Sequence, residues 1–496
     1  MEVLYKSTRG DGTLITSSQA ILKGLADDGG LFVPNYIPKL ETSFEILSQM
    51  SYQEVAFEVL HLMLTDFTDQ ELKQCIDSAY DSKFDCPEIA PVRKVGNAYM
   101  MELFHGATIA FKDMALSILP HLLTTAAKKN QITEDIVILT ATSGDTGKAA
   151  LAGFADVPHT RIIVFYPKGG VSHIQELQMI TQKGANTFVA GVHGNFDDAQ
   201  TGVKKMFNDE ALKKELKENG FLFSSANSIN IGRLVPQIAY YVWAYSRLVK
   251  EQAVKAGEEI NFVVPTGNFG NILAGYYAKQ MGLPVRKLIC ASNDNKVLFD
   301  FFQSGKYDRK REFILTSSPS MDILISSNLE RLIYQITGEK EDECRKLMSE
   351  LSEKGEYTIT EGEQKQLAIF KGGFATEAEN AACIRDTFEK TGYVTDTHTG
   401  VANCVYQKYV AETNDQTPTV IVSTASPYKF SRSVMNAIRG TESDPDDFVV
   451  IKELEDLSGV AIPPAVKEIM DAQILHDHVC DIDQMEHTVK QYLGLK

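Results

Sequence analysis

The chain has 496 residues, 44% hydrophobic and 23% charged, ordinary proportions for globular material with a sizeable core. At about 150 residues per domain, the length points to about three domains. With 49 basic against 66 acidic residues the net charge is −17, which excludes nonspecific nucleic-acid binding and an anionic membrane surface as main partners. Any anionic ligand must then be held by local backbone dipoles and a few chosen cations.

The N-terminal MEVLYKSTRGDGT carries no apolar stretch of signal-peptide length, and no run in the chain is long enough to span a bilayer. Cytoplasm is the expected location. The seven cysteines (75, 86, 290, 344, 383, 404, 480) are scattered and form no C-x-x-C pair, so neither a disulfide framework nor a zinc site is expected. Residues 1–85 read as turns followed by helices, among them YQEVAFEVLHLM (52–63), by apolar spacing. From about 86 the character changes. Short β-rich runs recur at 136–141, 161–166, 187–192, 261–265, 287–292 and 419–423, with helix-like stretches between several of them. Buried strands alternating with helices predict an α/β region, 86–440, with a mostly parallel sheet. Residues 340–390 are charged and read as a helical insertion. The chain turns acidic after about 440, and 441–496 reads as a Pro-punctuated tail.

In parallel sheets ligands bind beyond the carboxyl ends of the strands, beside helix N-termini, so the loops after the strands carry the functional reading. PTGNFGNILAGYYAKQ (265–280) follows one strand. Its glycines let successive N–H groups converge at a helix start, an anion site suited to phosphate; a plain strand-to-helix turn is the alternative. TSGDTGKAALAGFA (142–155) follows another. It is not a P-loop, because Thr142 stands where that motif needs Gly and Ala149 where it needs Ser or Thr. It is a hydroxyl-rich loop whose Ser143 and Thr146 can hold a carboxylate or merely cap a helix. In SSANSINIGR (224–233), Asn227, Ser228 and Arg233 can converge on a second phosphate, although an arginine in a loop is also a common surface residue. Thr424 ends the strand at 419–423.

One chemistry joins these loops to Lys112 in ELFHGATIAFKDMALS (102–117). A semi-buried lysine, a phosphate cradle and a carboxylate loop together fit a pyridoxal phosphate Schiff base. Desolvation by the apolar FHGATIAF wall lowers the lysine's pKa and lets it be neutral part of the time. The alternative is a lysine snorkelling from a helix start and paired with Asp113.

The chain resembles the threonine synthase family, of the longer microbial and fungal type, within the fold-type II (tryptophan synthase β-like) pyridoxal phosphate enzymes. YKSTRG (5–10) with GLADDGGLFVP (24–34), ELFHGATIAFKDMAL, TATSGDTGKAA, PTGNFGNILAG, SPSMDILISSNLERL (318–332) and TGYVTDTHTGVA (391–402) carry the resemblance in order along nearly the whole chain. It implies two open, mostly parallel sheets flanked by helices, with pyridoxal 5'-phosphate as cofactor. It implies that Lys112 holds the cofactor and later shuttles protons. Gly267, Asn268, Phe269, Gly270 and Asn271 bind the cofactor phosphate, and Thr424 faces the pyridine nitrogen. Ser143 and Thr146 hold the substrate carboxylate; Asn227, Ser228 and Arg233 grip the substrate phosphate. The implied activity is a lyase reaction, conversion of O-phospho-L-homoserine and water to L-threonine and phosphate, the last step of threonine biosynthesis. Nucleic-acid and membrane partners are not expected, and both monomer and homodimer remain open.

Two departures from the family pattern stand out. DTHTGVA (396–402) replaces a DPHTAVG-like segment, and TASPYKF (424–430) replaces a TAHPAKF-like one, with Ser426 for His and Tyr428 for Ala. Lying near the cofactor or its rim, they bear on rate or substrate preference. A serine or threonine dehydratase, which needs no second phosphate site, is one alternative. A catalytically silent metabolite-binding protein on the same scaffold is another. His476, His478 and Cys480 share one side of a possible strand, but not with the spacing of a standard metal site. His105 is expected to pack beside the lysine segment, and Trp243 to sit in the core.

Overall fold

The structure is a computed structural model, and it describes residues 2–10, 12–142 and 144–495. Two sheets carry the architecture. The larger has six strands in the order Phe370–Phe374, Val285–Ser292, Ile260–Pro265, Thr419–Ser423, Ala98–Glu102 and Val92–Val95. Its neighbours are parallel except for the hairpin at the last edge. The smaller has five parallel strands in the order Val479–Asp481, Thr187–His193, Thr160–Pro167, Asp135–Ala141 and Phe221–Ser224.

The six runs expected from apolar patterning are all strands. Those of the central strands are buried on both faces, as in Ile260–Pro265 and Thr419–Ser423, which is why they read as unbroken apolar runs rather than alternating ones. Fully burying one Val, Ile or Leu side chain is worth about 1.5–3 kcal/mol, against at most about 1 kcal/mol for an exposed ion pair. The cores under the two sheets therefore outweigh the many surface salt bridges of this acidic chain.

The helix Tyr52–Met63 forms where its apolar spacing predicts it. Ser51 and Glu54 close a capping box at its start, and its buried face packs on Pro236–Lys250. Trp243 is core: its indole N–H donates to the Ala90 carbonyl (2.7 Å) and Arg247 lies 3.9 Å over the ring.

The reading of 340–390 as helical needs correction. Helices Glu341–Lys354 and Glu377–Thr391 are present, but Phe370–Phe374 is an edge strand of the larger sheet and Glu356–Thr358 pairs with Lys306–Asp308. FKGGF has two glycines and no β-branched residue, so its strand is set by its neighbour rather than by propensity. The tail also does more than trail. After helices Asp447–Ser458 and Pro464–Met470 it returns as Val479–Asp481, beside Thr187–His193. His476 meets the Gln182 carbonyl (2.8 Å) and His478 the Thr488 hydroxyl (3.4 Å), contacts of packing. Among the described residues, no helix is long and apolar enough to cross a membrane.

Candidate active site

The segment that carries Lys112 is sewn to the end of the strand Thr419–Ser423. Leu103 N donates to the Ser423 carbonyl (2.9 Å), Phe111 N to Thr424 (2.8 Å), and Ser426 N to Ile109 (3.0 Å). Lys112 then caps the four-residue helix Asp113–Leu116. The pairing of Lys112 with Asp113 does not occur. Asp113 turns inward and accepts from the Thr108 amide (2.8 Å) and hydroxyl (2.6 Å).

Lys112 instead faces the loop of the smaller sheet. Its Nζ lies 3.3 Å from Asp145 Oδ2 and 3.1 Å from Ser320 Oγ, and Ser320 in turn donates to the same carboxylate oxygen (3.1 Å). Burial pulls the Lys112 amine below its ordinary value; Asp145 opposes this, and the charges of Lys429 and Arg233 reinforce it. Asp145 is itself buried, yet Lys429 and Lys112 hold it well below the usual carboxylate range. Gln175 Nε2 donates to its Oδ1 (2.9 Å). His398 Nε2 accepts from the Ser320 amide (3.1 Å), which leaves Nδ1 to donate to Asp396 (2.8 Å). Asp145, Ser320, His398 and Lys429 all lie within quoted motifs, but nothing in the motifs singled them out; their roles come from elements far apart in sequence.

The glycine loop is built for close approach. A Cβ on Gly267 would stand 2.4 Å from the Ser320 carbonyl oxygen, and Phe269 takes a left-handed φ of 63° before the helix Gly270–Gln280. Ser326 Oγ holds the Gly267 carbonyl (2.6 Å), and Asn328 holds that of Asn268 through its side chain (3.0 Å) and amide (3.1 Å). Tyr240 and Tyr241 both donate to Asn271 Oδ1 (2.7 Å each), while its buried Nδ2 has no partner among the described residues. Nor, among the described residues, does any amide of 267–271 donate to a protein acceptor. Converging free N–H groups at a helix start, with no room for a side chain, fit a phosphate.

In the loop before helix Asp145–Phe154, Thr142 Oγ1 accepts from the Gly144 and Gly147 amides (3.0 Å each), fixing the turn. Thr146 stands in the first turn, half-buried. Ser143 lies outside the described residues. Arg233 is buried, not a surface residue. Nη1 donates to the Ala226 carbonyl (2.8 Å), Nε has no partner among the described residues, and burial brings the guanidinium to about 10. Asn227 is exposed and Ser228 half-buried, the Asn227 side chain accepting from Ser228 Oγ (3.3 Å). Thr424 is buried. Of the two departures, Ser426 caps the turn Pro427–Phe430. Tyr428 packs in the C-terminal core and donates to the Val460 carbonyl, so it anchors the tail.

The expected family is matched in three consecutive pieces: Threonine synthase N terminus over residues 4–80, Pyridoxal-phosphate dependent enzyme over 85–363, and Threonine synthase, C-terminal, over 399–479. Threonine synthase of Schizosaccharomyces pombe is 36% identical over 472 residues, spanning 88% of this chain and 90% of that protein. The chain belongs to the threonine synthase family. Solved threonine synthases share its fold: the pyridoxal-phosphate-bound one from Brucella melitensis at TM-score 0.88 and 34% identity, and the yeast one at 0.89 and 31%, each covering 99% of both chains. Human threonine synthase-like 1 is 40% identical over 435 residues, but the match covers 85% of this chain and only 58% of that longer protein. The cofactor of this threonine synthase family member is pyridoxal phosphate. The free amides, the Gly267 clearance and the buried, depressed Lys112 amine fit it.

Proposed function

We propose that this chain is a threonine synthase, converting O-phospho-L-homoserine and water to L-threonine and phosphate. Lys112 is the amine that holds the cofactor. The amides of Gly267, Asn268, Phe269, Gly270 and Asn271 hold its phosphate, and Thr424 faces its ring nitrogen. Bound pyridoxal phosphate supplies an electron sink that stabilises negative charge at the substrate's Cα. Lys112, once freed, is a neutral base placed to take the Cα proton and to move protons at Cβ and Cγ, because burial keeps its amine from being fully charged. Ser143 and Thr146 hold the substrate carboxylate through hydroxyls and the helix start. Arg233, with Asn227 and Ser228, holds the leaving phosphate; a guanidinium offers it bidentate donors. The seven cysteines are all unpaired, which supports the reducing cytoplasm as its compartment.

The observation that carries this reading is Arg233. A buried guanidinium close enough to depress the Lys112 amine, with a bare Nε and no acid beside it among the described residues, is costly to keep unless an anion joins it. A dehydratase has no use for it. Purified chain loaded with pyridoxal phosphate should release phosphate from O-phospho-L-homoserine with equal L-threonine, and Arg233→Ala should lose roughly 10²-fold in kcat/KM. Ammonia release from L-threonine or L-serine without phosphate release, unaffected by Arg233→Ala, would replace this reading with the dehydratase.

A further inference from the structure

Asp145 stands between two lysines. Lys112 Nζ is 3.3 Å from Oδ2, and Lys429 Nζ is 3.3 Å from Oδ1. The Lys429 side chain has no exposed surface. It also donates to the Thr108 carbonyl (2.9 Å) and to Gln178 Oε1 (3.4 Å). Two ammonium groups thus share one carboxylate, which leaves one positive charge too many for a site so little exposed.

The surroundings decide which amine can give up its proton. Among the described residues, Lys112 has Asp145 and the Ser320 hydroxyl as its acceptors. It is also faced by Arg233 from the helix Ile231–Leu234 and by Lys429 from the turn Pro427–Phe430. Lys429 has three acceptors, two of them neutral and fixed by backbone or helix. Among the described residues, Asp113 and Lys148 also act on its side, with opposite signs. Asp145 sees Lys429, Lys112, Gln175, Ser320 and His398. Resting on the reading of Lys112 as the reactive amine, we propose that Lys429 is a positioning residue for it. Lys429 is the fixed counter-ion of Asp145, and by occupying that carboxylate it leaves the Lys112 amine free to be neutral and to turn towards a substrate.

Without the second lysine, Asp145 would belong wholly to Lys112 and hold it charged. The readout is the pH at which the Lys112 amine becomes reactive. Trace acetylation of the full chain by acetic anhydride across a pH series, with cofactor removed and Lys112 quantified by peptide mass spectrometry, gives that midpoint. Lys429→Gln keeps a donor for Thr108 without the charge. It should raise the midpoint by about one unit or more, while Lys429→Arg should stay within about half a unit of wild type. In the cofactor-loaded chain, the acid limb of the kcat profile should move in the same direction. A Lys429→Gln chain that melts like wild type and leaves the Lys112 midpoint unmoved overturns the proposal and makes Lys429 a scaffold residue. Should that variant not fold, Asp145→Asn reads the coupling from the other side. The midpoint then falls by about one unit, and an unmoved midpoint overturns the shared-carboxylate arrangement. A chain that releases no phosphate from O-phospho-L-homoserine still yields this titration, so the two readings fail separately.

Discussion

Residues 265–270 and 141–145 hold the same place in the topology, each joining a buried parallel strand to the start of a helix. They are built on opposite electrostatic plans. The first loop contains no titratable group. It is shaped by glycines and a left-handed Phe269 and clamped by neutral donors from Ser326 and Asn328, and it offers bare amides. The second places a carboxylate at the first position of its helix and surrounds it with two lysines, an amide, a hydroxyl and a histidine drawn from other elements. A rigid neutral cradle suits a ligand that stays. A charged, shared carboxylate suits an amine that must change its protonation state during each turnover.

Removing the amine tests the charged side hardest. Lys112→Ala should abolish the visible cofactor band and lower turnover by roughly 10³-fold or more, with the fold intact by circular dichroism. Retained activity within about tenfold of wild type would break the contrast, because the charged loop would then serve no reactive group.

The two glycines that open these loops separate the plans further. At Gly267 an added Cβ meets the backbone oxygen of Ser320 at 2.4 Å, so the cradle itself must shift. Gly267→Ala should weaken cofactor binding by about 10- to 100-fold, the equivalent of about 1–3 kcal/mol of strain. At Gly144 (φ 136°) the Cβ meets the Gln175 amide at 2.5 Å, and Gln175 is a ligand of Asp145. Gly144→Ala should leave cofactor affinity within about threefold and instead move the pH profile of turnover, since it disturbs a charge rather than a cradle. Spectrophotometric titration with cofactor and kcat against pH distinguish them. Equal losses of affinity in both variants would erase the distinction.

This contrast also explains what the sequence made legible. The turn of the glycine loop is local, so the spacing of Gly267 and Gly270 was enough to mark a close backbone turn at a helix start, while the clamps on it from Ser326 and Asn328 come from farther along the chain. The apolar strands were legible for the same reason. The charged side is not local. Asp145 meets Lys429 across 284 positions of chain (429 less 145) and Ser320 across 175. The motif DTHTGVA displayed His398 without any sign that it would meet the Ser320 amide. Lys112 was read as the reactive amine from its apolar neighbours and the loops around it; the alternative, a lysine paired with Asp113, rested on adjacency in sequence, and the structure turns Asp113 to Thr108 and Lys112 to Asp145. FKGGF failed as a strand because its pairing, not its composition, makes it one.

The smallest effect lies at the entrance of the lysine segment. His105 bridges Asp85 through Nδ1 (2.6 Å) and Glu102 through Nε2 (3.0 Å), and Tyr393 donates to the far oxygen of Glu102 (2.7 Å). Burial disfavours the imidazolium, but the two carboxylates outweigh it and raise the ring to about 9 from an ordinary 6.5. A group whose folded-state value is raised stabilises fully below its unfolded value and loses that contribution as pH climbs through the folded one. The wild-type chain should therefore lose about 1–2 kcal/mol of stability between about pH 6.5 and about pH 9.5, less than the full linkage because Asp85 is partly exposed. Urea midpoints at the two pH values should show this slope, and His105→Asn should flatten it while lowering stability at the acid end. The glycine loop, with nothing to titrate, should contribute no slope of its own. If the slope persists in His105→Asn, the pH sensitivity belongs to other shifted groups, Lys112 and Asp145 among them.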